Sequence, residues 1–135
     1  MKTLRRDIMA DLFADMLNVV KTSERANKRE CFVRRSALIL RVLKLLQENN
    51  YVGDIEIVDE SKGGKVKVAL LSRINDCSVI KPRMSVKVTA WPEYESLYLP
   101  APTVGLLIVS TPAGIITNRA AREKKIGGRL LAYVY

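Results

Sequence analysis

The stretch that most constrains the fold runs from Val104 to the C-terminal Tyr135. An apolar run, Val104 to Val109, stops at two hydroxyl residues, Ser110 and Thr111. Thr111-Pro112-Ala113-Gly114 then reads as a tight turn, with proline suited to the second position and glycine to the fourth. Ile115 to Ile116 resumes as strand. Thr117 or Asn118 caps a short helix through about Lys124, and Leu130 to Val134 is a last strand after Gly127-Gly128. The segment therefore presents a small polar site on a rigid turn, beside cationic side chains and without an obvious catalytic group.

The first half has a different rhythm. Ile8, Leu12, Met16 and Val19 recur at helical spacing over residues 7–20, with Met9, Phe13, Leu17 and Val20 widening the stripe. Residues 21–30 form a basic loop, and Cys31 to Arg35 reads as a short strand. Ser36 is placed to cap a buried helix from Ala37 to about Asn49. Residues 54–59 and 66–70 alternate as two strands around a Ser61-Lys-Gly-Gly hairpin turn. Residues 72–83 read as irregular, and Met84, Val86 and Val88 as strand. Ala90 to Pro102, rich in aromatics and proline, reads as a packed loop. The expected class is α+β with two small subdomains. Residues 1–75 are ordered α-β-α-β-β, and residues 76–135 are mostly antiparallel β with one short helix.

Charge narrows the function. The chain of 135 residues carries a formal net charge of +9 and no histidine. The absence of histidine removes the commonest general base and metal ligand. The cations are segregated. Lys21, Arg25, Lys28, Arg29, Arg34, Arg35, Arg41 and Lys44 face only Glu24 and Glu30 between residues 20 and 44, and residues 61–89 are similarly basic. Residues 119–129 form a third cationic stretch, while residues 90–118 are mildly acidic. This distribution fits surfaces laid against phosphates better than an evenly solvated shell. No apolar run reaches the roughly 20 residues of a membrane span, and the first residues do not read as a secretory signal. Cys31 and Cys77 lie far apart. They read as buried free thiols in a reducing compartment, with a single disulfide as the other possibility.

Three constellations carry weaker chemistry. Ser61-Lys-Gly-Gly-Lys lacks the spacing and the Lys-Ser/Thr ending of a phosphate loop. Asp7, Asp11 and Asp15 form a row on one helix face that reads as solvated rather than metal-binding. Ser110 as a nucleophile, with Lys124 or Lys125 as base, lacks any Gly-x-Ser-x-Gly or Ser-x-x-Lys frame. The C-terminal turn is stronger. The Ser110 and Thr111 hydroxyls can bond base edges or sugar hydroxyls, and the following helix start offers N–H groups to a phosphate. Arg119 and Arg122, three apart, can grip backbone oxygens. On mechanics alone, an ordinary strand-turn-helix with capping hydroxyls explains these residues equally well.

The pattern Gly105-x-x-Ile-Val-Ser-Thr-x-x-Gly-Ile-Ile-Thr-x-x-x-Ala-Arg, followed by Gly127-Gly and an aromatic-rich last strand, resembles the family of the eighth protein of the small ribosomal subunit. Ala10-Asp-x-x-Ala-Asp-Met-Leu, the Asn27-Lys-Arg loop and Tyr51-Val-Gly-Asp-Ile-Glu-Ile-Val-Asp-Glu support it. Gly64-Lys-Val-Lys-Val and Cys77-x-Val-Ile-x-Pro-Arg look like its archaeal and eukaryotic branch, with the archaeal side favoured. The resemblance covers nearly the whole chain. It implies a non-enzymatic constituent of the cytoplasmic small ribosomal subunit that binds the central domain of its ribosomal RNA early in assembly. Neighbouring small-subunit proteins are implied partners; no cofactor, metal, membrane or small-molecule substrate is. Carried over by position, Ser110 and Thr111 make base or sugar contacts and Gly114 shapes the turn. Asn27, Lys28 and Arg29 touch the phosphate backbone, with Arg119, Arg122 and Arg129 as further RNA-binding candidates. Residues 1–75 become an RNA-binding α/β subdomain, and residues 76–135 a β-rich subdomain carrying the reading turn. Pro112 stands where many members have a third hydroxyl, so that contact is lost or replaced. Arg129 stands where bacterial members often have an acid. A free RNA-binding translational regulator is the alternative that the resemblance leaves.

Overall fold

A computed structural model describes residues 2–58, 64–80, 83–101 and 104–135, with side chains from Phe13 onward. Its contacts divide into two units, Met1–Ile74 and Asn75–Tyr135.

The first unit has the order expected from the sequence: α1 (Lys2–Arg25), β1 (Glu30–Arg34), α2 (Ala37–Glu48), β2 (Val52–Ile57) and β3 (Lys65–Leu70). α1 buries Phe13, Met16, Leu17 and Val20, one face at helical spacing. Val19, expected on that stripe, is instead 38% exposed. Ile8, Met9 and Leu12, and with them Asp7 and Asp11, lie outside the described side chains; Asp15 is exposed. α2 starts where Ser36 accepts the Ile39 N–H at 3.1 Å and buries Ile39, Val42, Leu43 and Leu46. The sheet is antiparallel in the order β1-β3-β2, with α1 packed on β1 and α2 on β2. Cys31, Val33, Val66 and Val68 point inward from paired strands, as their alternating burial requires. The turn expected at Ser61-Lys-Gly-Gly falls at residues 61–63 outside the described residues.

The second unit comprises β4 (Cys77–Val79), β5 (Ser85–Val86), α3 (Trp91–Tyr98), β6 (Leu106–Thr111), β7 (Gly114–Thr117), α4 (Asn118–Glu123) and β8 (Gly128–Val134). Its five strands are antiparallel in the order β4-β8-β6-β7, with β5 also on β8. Three expectations are corrected here. Residues 90–102 are not all loop, because Trp91–Tyr98 is helical. Pro92 lies in the first turn, where its missing N–H deprives the helix of nothing. Residues 72–83 are not all irregular, because Cys77–Val79 pairs with β8. β6 does not stop at Val109; Ser110 and Thr111 belong to it. Trp91 is fully buried, and its Nε1–H donates to Ile126 O at 3.1 Å, so the ring is buried with its polar atom satisfied. It packs with Leu107, Val109, Ala121 and Leu130.

Candidate RNA-reading hairpin

β6 and β7 form a hairpin whose last pair is Thr111 with Gly114. Pro112 supplies the fixed φ of the turn, and Gly114 adopts a φ of +107°, which side chains disfavour. Thr111 closes the turn with its own hydroxyl. Oγ1 donates to Gly114 O at 2.8 Å and accepts the Ala113 N–H at 3.1 Å. Its methyl lies over Gly128, where an added Cβ would sit 2.8 Å from Thr111 Cγ2. Gly128 therefore lets the turn lie against β8, while Gly127 leaves room for the backbone of Val86 on β5. Ser110 differs. It is exposed, and its hydroxyl makes no hydrogen bond among the described residues.

Register places cations and hydroxyls beside it. Ser110 pairs with Arg129 across β6 and β8, and Arg129 pairs with Ser85 across β8 and β5. Directly opposed side chains share a face with Cβ atoms about 5 Å apart. Ser85, Arg129 and Ser110 thus form an exposed hydroxyl-guanidinium-hydroxyl row across three strands. Sequence reading missed Ser85, because β5 is too short to show a pattern and the pairing is long-range.

The other arginines are engaged elsewhere. Arg119 Nη2 donates to Gly105 O at 3.3 Å. Gly105 is five residues before Ser110, a distance of roughly 17 Å along extended chain. Arg122 Nη1 donates to both carboxylate oxygens of Glu95, at 3.2 and 3.1 Å. Glu95 is 4% exposed and also accepts from Asn118 Nδ2 at 2.9 Å, while Asn118 Oδ1 accepts the Leu107 N–H at 3.0 Å. This network ties α3, α4 and β6 together, so Arg122 has a structural task. Thr117, rather than Asn118, caps α4, accepting the Ala120 N–H at 3.2 Å. One donor that the sequence offered to a phosphate is therefore occupied.

Asn27, Lys28 and Arg29 lie in the first unit, all exposed. Asn27 has a φ of 56°, its N–H bonds Glu24 O, and the Lys28 N–H bonds Ser23 O. That is a helix end closed by one left-handed residue, a conformation asparagine tolerates. Asn27 thereby fixes the direction in which Lys28 and Arg29 leave α1.

Comparison with known proteins decides the family. The profile of ribosomal protein S8 matches residues 11–135. The chain belongs to the ribosomal protein S8 family. A small ribosomal subunit protein uS8 from Thermoplasma volcanium is 47% identical over 126 residues, covering 93% of this chain and 98% of the relative. The uS8 protein of Thermoplasma acidophilum gives the same values, and that of Methanococcoides burtonii is 43% identical over 129 residues, covering 95% and 99%. These relatives are archaeal, the branch that the sequence motifs favoured. S8 proteins are ribosomal proteins and not enzymes, which removes the nucleophile reading of Ser110. Among the described residues, no group is hydrogen-bonded to the Ser110 hydroxyl. Both cysteines of this S8 chain are free and buried, so the disulfide possibility falls. Burial, reinforced by the Glu24 charge and opposed by Lys28, pushes the Cys31 thiol up to about 11.

Proposed function

We propose that this chain is a structural constituent of the small ribosomal subunit and binds the central domain of its ribosomal RNA through the β6–β7 hairpin. The observation that carries the site is the Ser85, Arg129 and Ser110 row beside a turn locked by Thr111. Hydroxyls that donate and accept suit base edges and ribose, and the guanidinium suits phosphate oxygens or a base face. In this reading Ser110 reads directly and Thr111 reads through its remaining acceptor capacity, while Gly114 holds the turn open. Arg129, Lys28 and Arg29 neutralise phosphate, aimed in the last two cases by Asn27. Arg119 and Arg122 rank behind them, since each already holds an oxygen of the fold. The 1–75 half acts as the basic α/β part and the 76–135 half as the reading part.

The test compares binding to a central-domain RNA fragment with binding to an unrelated RNA hairpin of equal length. The wild-type chain should prefer the first, and Ser110→Ala should erode the preference. Equal affinity for both RNAs would defeat the assignment. Co-sedimentation of a tagged chain with small subunits separates the structural role from a free regulator, which would remain largely outside them.

A further inference from the structure

Among the described residues β1 pairs with β3 alone, so it is an edge of its sheet. Its hydrogen-bond phase follows from its two flanks. The Leu70 N–H donates to Arg29 O and the Arg35 N–H to Gly64 O, both at 2.8 Å. With Cys31 opposite Val68 and Val33 opposite Val66, the odd-numbered residues bond to β3. The N–H and C=O groups of Glu30, Phe32 and Arg34 therefore point away from the sheet, at its open edge. A groove of about 490 Å³ runs there between α1 and β1, lined by Val19, Ser23 and the segment from Lys28 to Phe32. Val19 and Phe32, 38% and 48% exposed, form its apolar part. Lys28 and Arg29 stand at one end of the edge and Arg34 at the other, all exposed. Glu30 is already paired with Lys67 at 3.1 Å and Lys28 and Arg29 are assigned to phosphate, so the charge left to a protein partner is the positive one of Arg34.

We propose that this edge receives an extended, acid-bearing peptide segment of a neighbouring protein, which adds beside β1 as a fourth strand. The edge alternates donors with acceptors at every second residue, and a peptide backbone satisfies both in register. A phosphodiester backbone satisfies only the donors and sets its oxygens against the carbonyls of Glu30, Phe32 and Arg34. An apolar side chain on the helix-facing side of the incoming strand covers Val19, one on its other side meets Phe32, and a flanking carboxylate meets Arg34. The inference rests on the reading of the chain as a small-subunit protein, and the test separates the two.

A photoreactive benzoylphenylalanine is placed at Val19 of the full chain, and the tagged protein is incorporated into small subunits, purified and irradiated. Failure of the tagged wild-type chain to enter subunits would remove the underlying reading. Given entry, the expected adduct is a ribosomal-protein peptide containing Asp or Glu. Phe32→Pro deletes one outward N–H and no bond to β3, and edge strands tolerate proline. It should lower the adduct yield about fivefold, as one lost hydrogen bond implies, while Phe32→Leu stays within about twofold. Circular dichroism confirms that the proline variant folds; if it does not, Arg34→Pro is compared with Arg34→Leu, which loses the same charge and keeps the outward N–H. An adduct to RNA, no adduct, or equal yields from the proline and leucine variants overturns the proposal. Should neither proline variant fold, the class of adduct at Val19 still decides.

Discussion

Ser110 and Thr111 carry the same functional group and do different work. The Thr111 hydroxyl is spent on both sides of the turn, on Gly114 O and on the Ala113 N–H. The Ser110 hydroxyl faces outward in a row with Arg129. We predict that Ser110→Ala leaves stability within about 0.5 kcal/mol, as for other surface changes, yet weakens the specific RNA by about 1–3 kcal/mol. Thr111→Ala should cost about 1 kcal/mol of stability through its lost turn bonds, and weaken RNA binding as well. Urea melts paired with filter-binding on both variants check this; a stability loss in Ser110→Ala would refute the division of labour. Cys31 gives a second residue-scale expectation. Its thiol is raised from an ordinary 9.0 to about 11, chiefly by burial. The folded state thus holds the proton longer than the unfolded chain. Its contribution to stability is complete below about pH 9 and is lost as pH climbs toward about 11. Native protein near pH 8 should resist iodoacetamide at this cysteine, and Cys31→Ala should flatten the decline of unfolding free energy above pH 9. Rapid native alkylation of Cys31 would contradict it.

At the scale of elements, three helices end the same way. α1, α2 and α4 close on Asn27, Asn50 and Lys125, whose φ values are 56°, 63° and 56°. In each, the next residue's N–H bonds the carbonyl five residues back: Lys28 to Ser23, Tyr51 to Leu46, Ile126 to Ala121. Asparagine adopts this conformation at less cost than lysine. Lys125→Gly should therefore stabilise the protein by about 0.5–1 kcal/mol, the left-handed penalty less the added backbone entropy of glycine. Thermal melts of the two chains check it, and a lowered Tm would count against the strain. The sequence displayed elements whose cause is local. Ser36 with the run behind it announced α2, and the pair Thr117-Asn118, either of which could cap, announced α4. α3 was hidden because its buried face includes Glu95, a carboxylate made tolerable only by Asn118 and Arg122 from a distant helix. β4 was hidden because Cys77-Ser78-Val79 is too short to alternate, and its pairing with β8 spans more than fifty residues. For the same reason the hairpin residues of the proposed site could be picked out from the sequence, and Ser85, brought in by β8, could not.

For the whole molecule the decisive quantity is charge, and cations with the same formal charge divide by what they already hold. Lys28 is exposed in a loop whose direction is set by a helix end, whereas Arg122 is fastened to a buried carboxylate. If the formal +9 acts by displacing counterions from RNA, each phosphate-facing cation adds about 0.9 to the slope of log affinity against log salt for a duplex and about 0.7 for a single strand. Lys28→Ala should then lower affinity for every RNA and reduce the slope by somewhat under 1, with unchanged stability. Arg122→Ala should do the reverse. It strands Glu95, still bonded by Asn118 but without its cation, and costs about 1–3 kcal/mol of folding free energy, less than a fully buried pair because the arginine is half exposed. Its salt slope should match that of the wild type once binding is measured well below its melting temperature. Glu95→Gln in the Arg122→Ala background should recover part of the lost stability, since the uncompensated charge is then gone. A slope reduced equally by Lys28→Ala and Arg122→Ala would mean that Arg122 leaves Glu95 on binding, and that the α3–α4 network opens when RNA arrives.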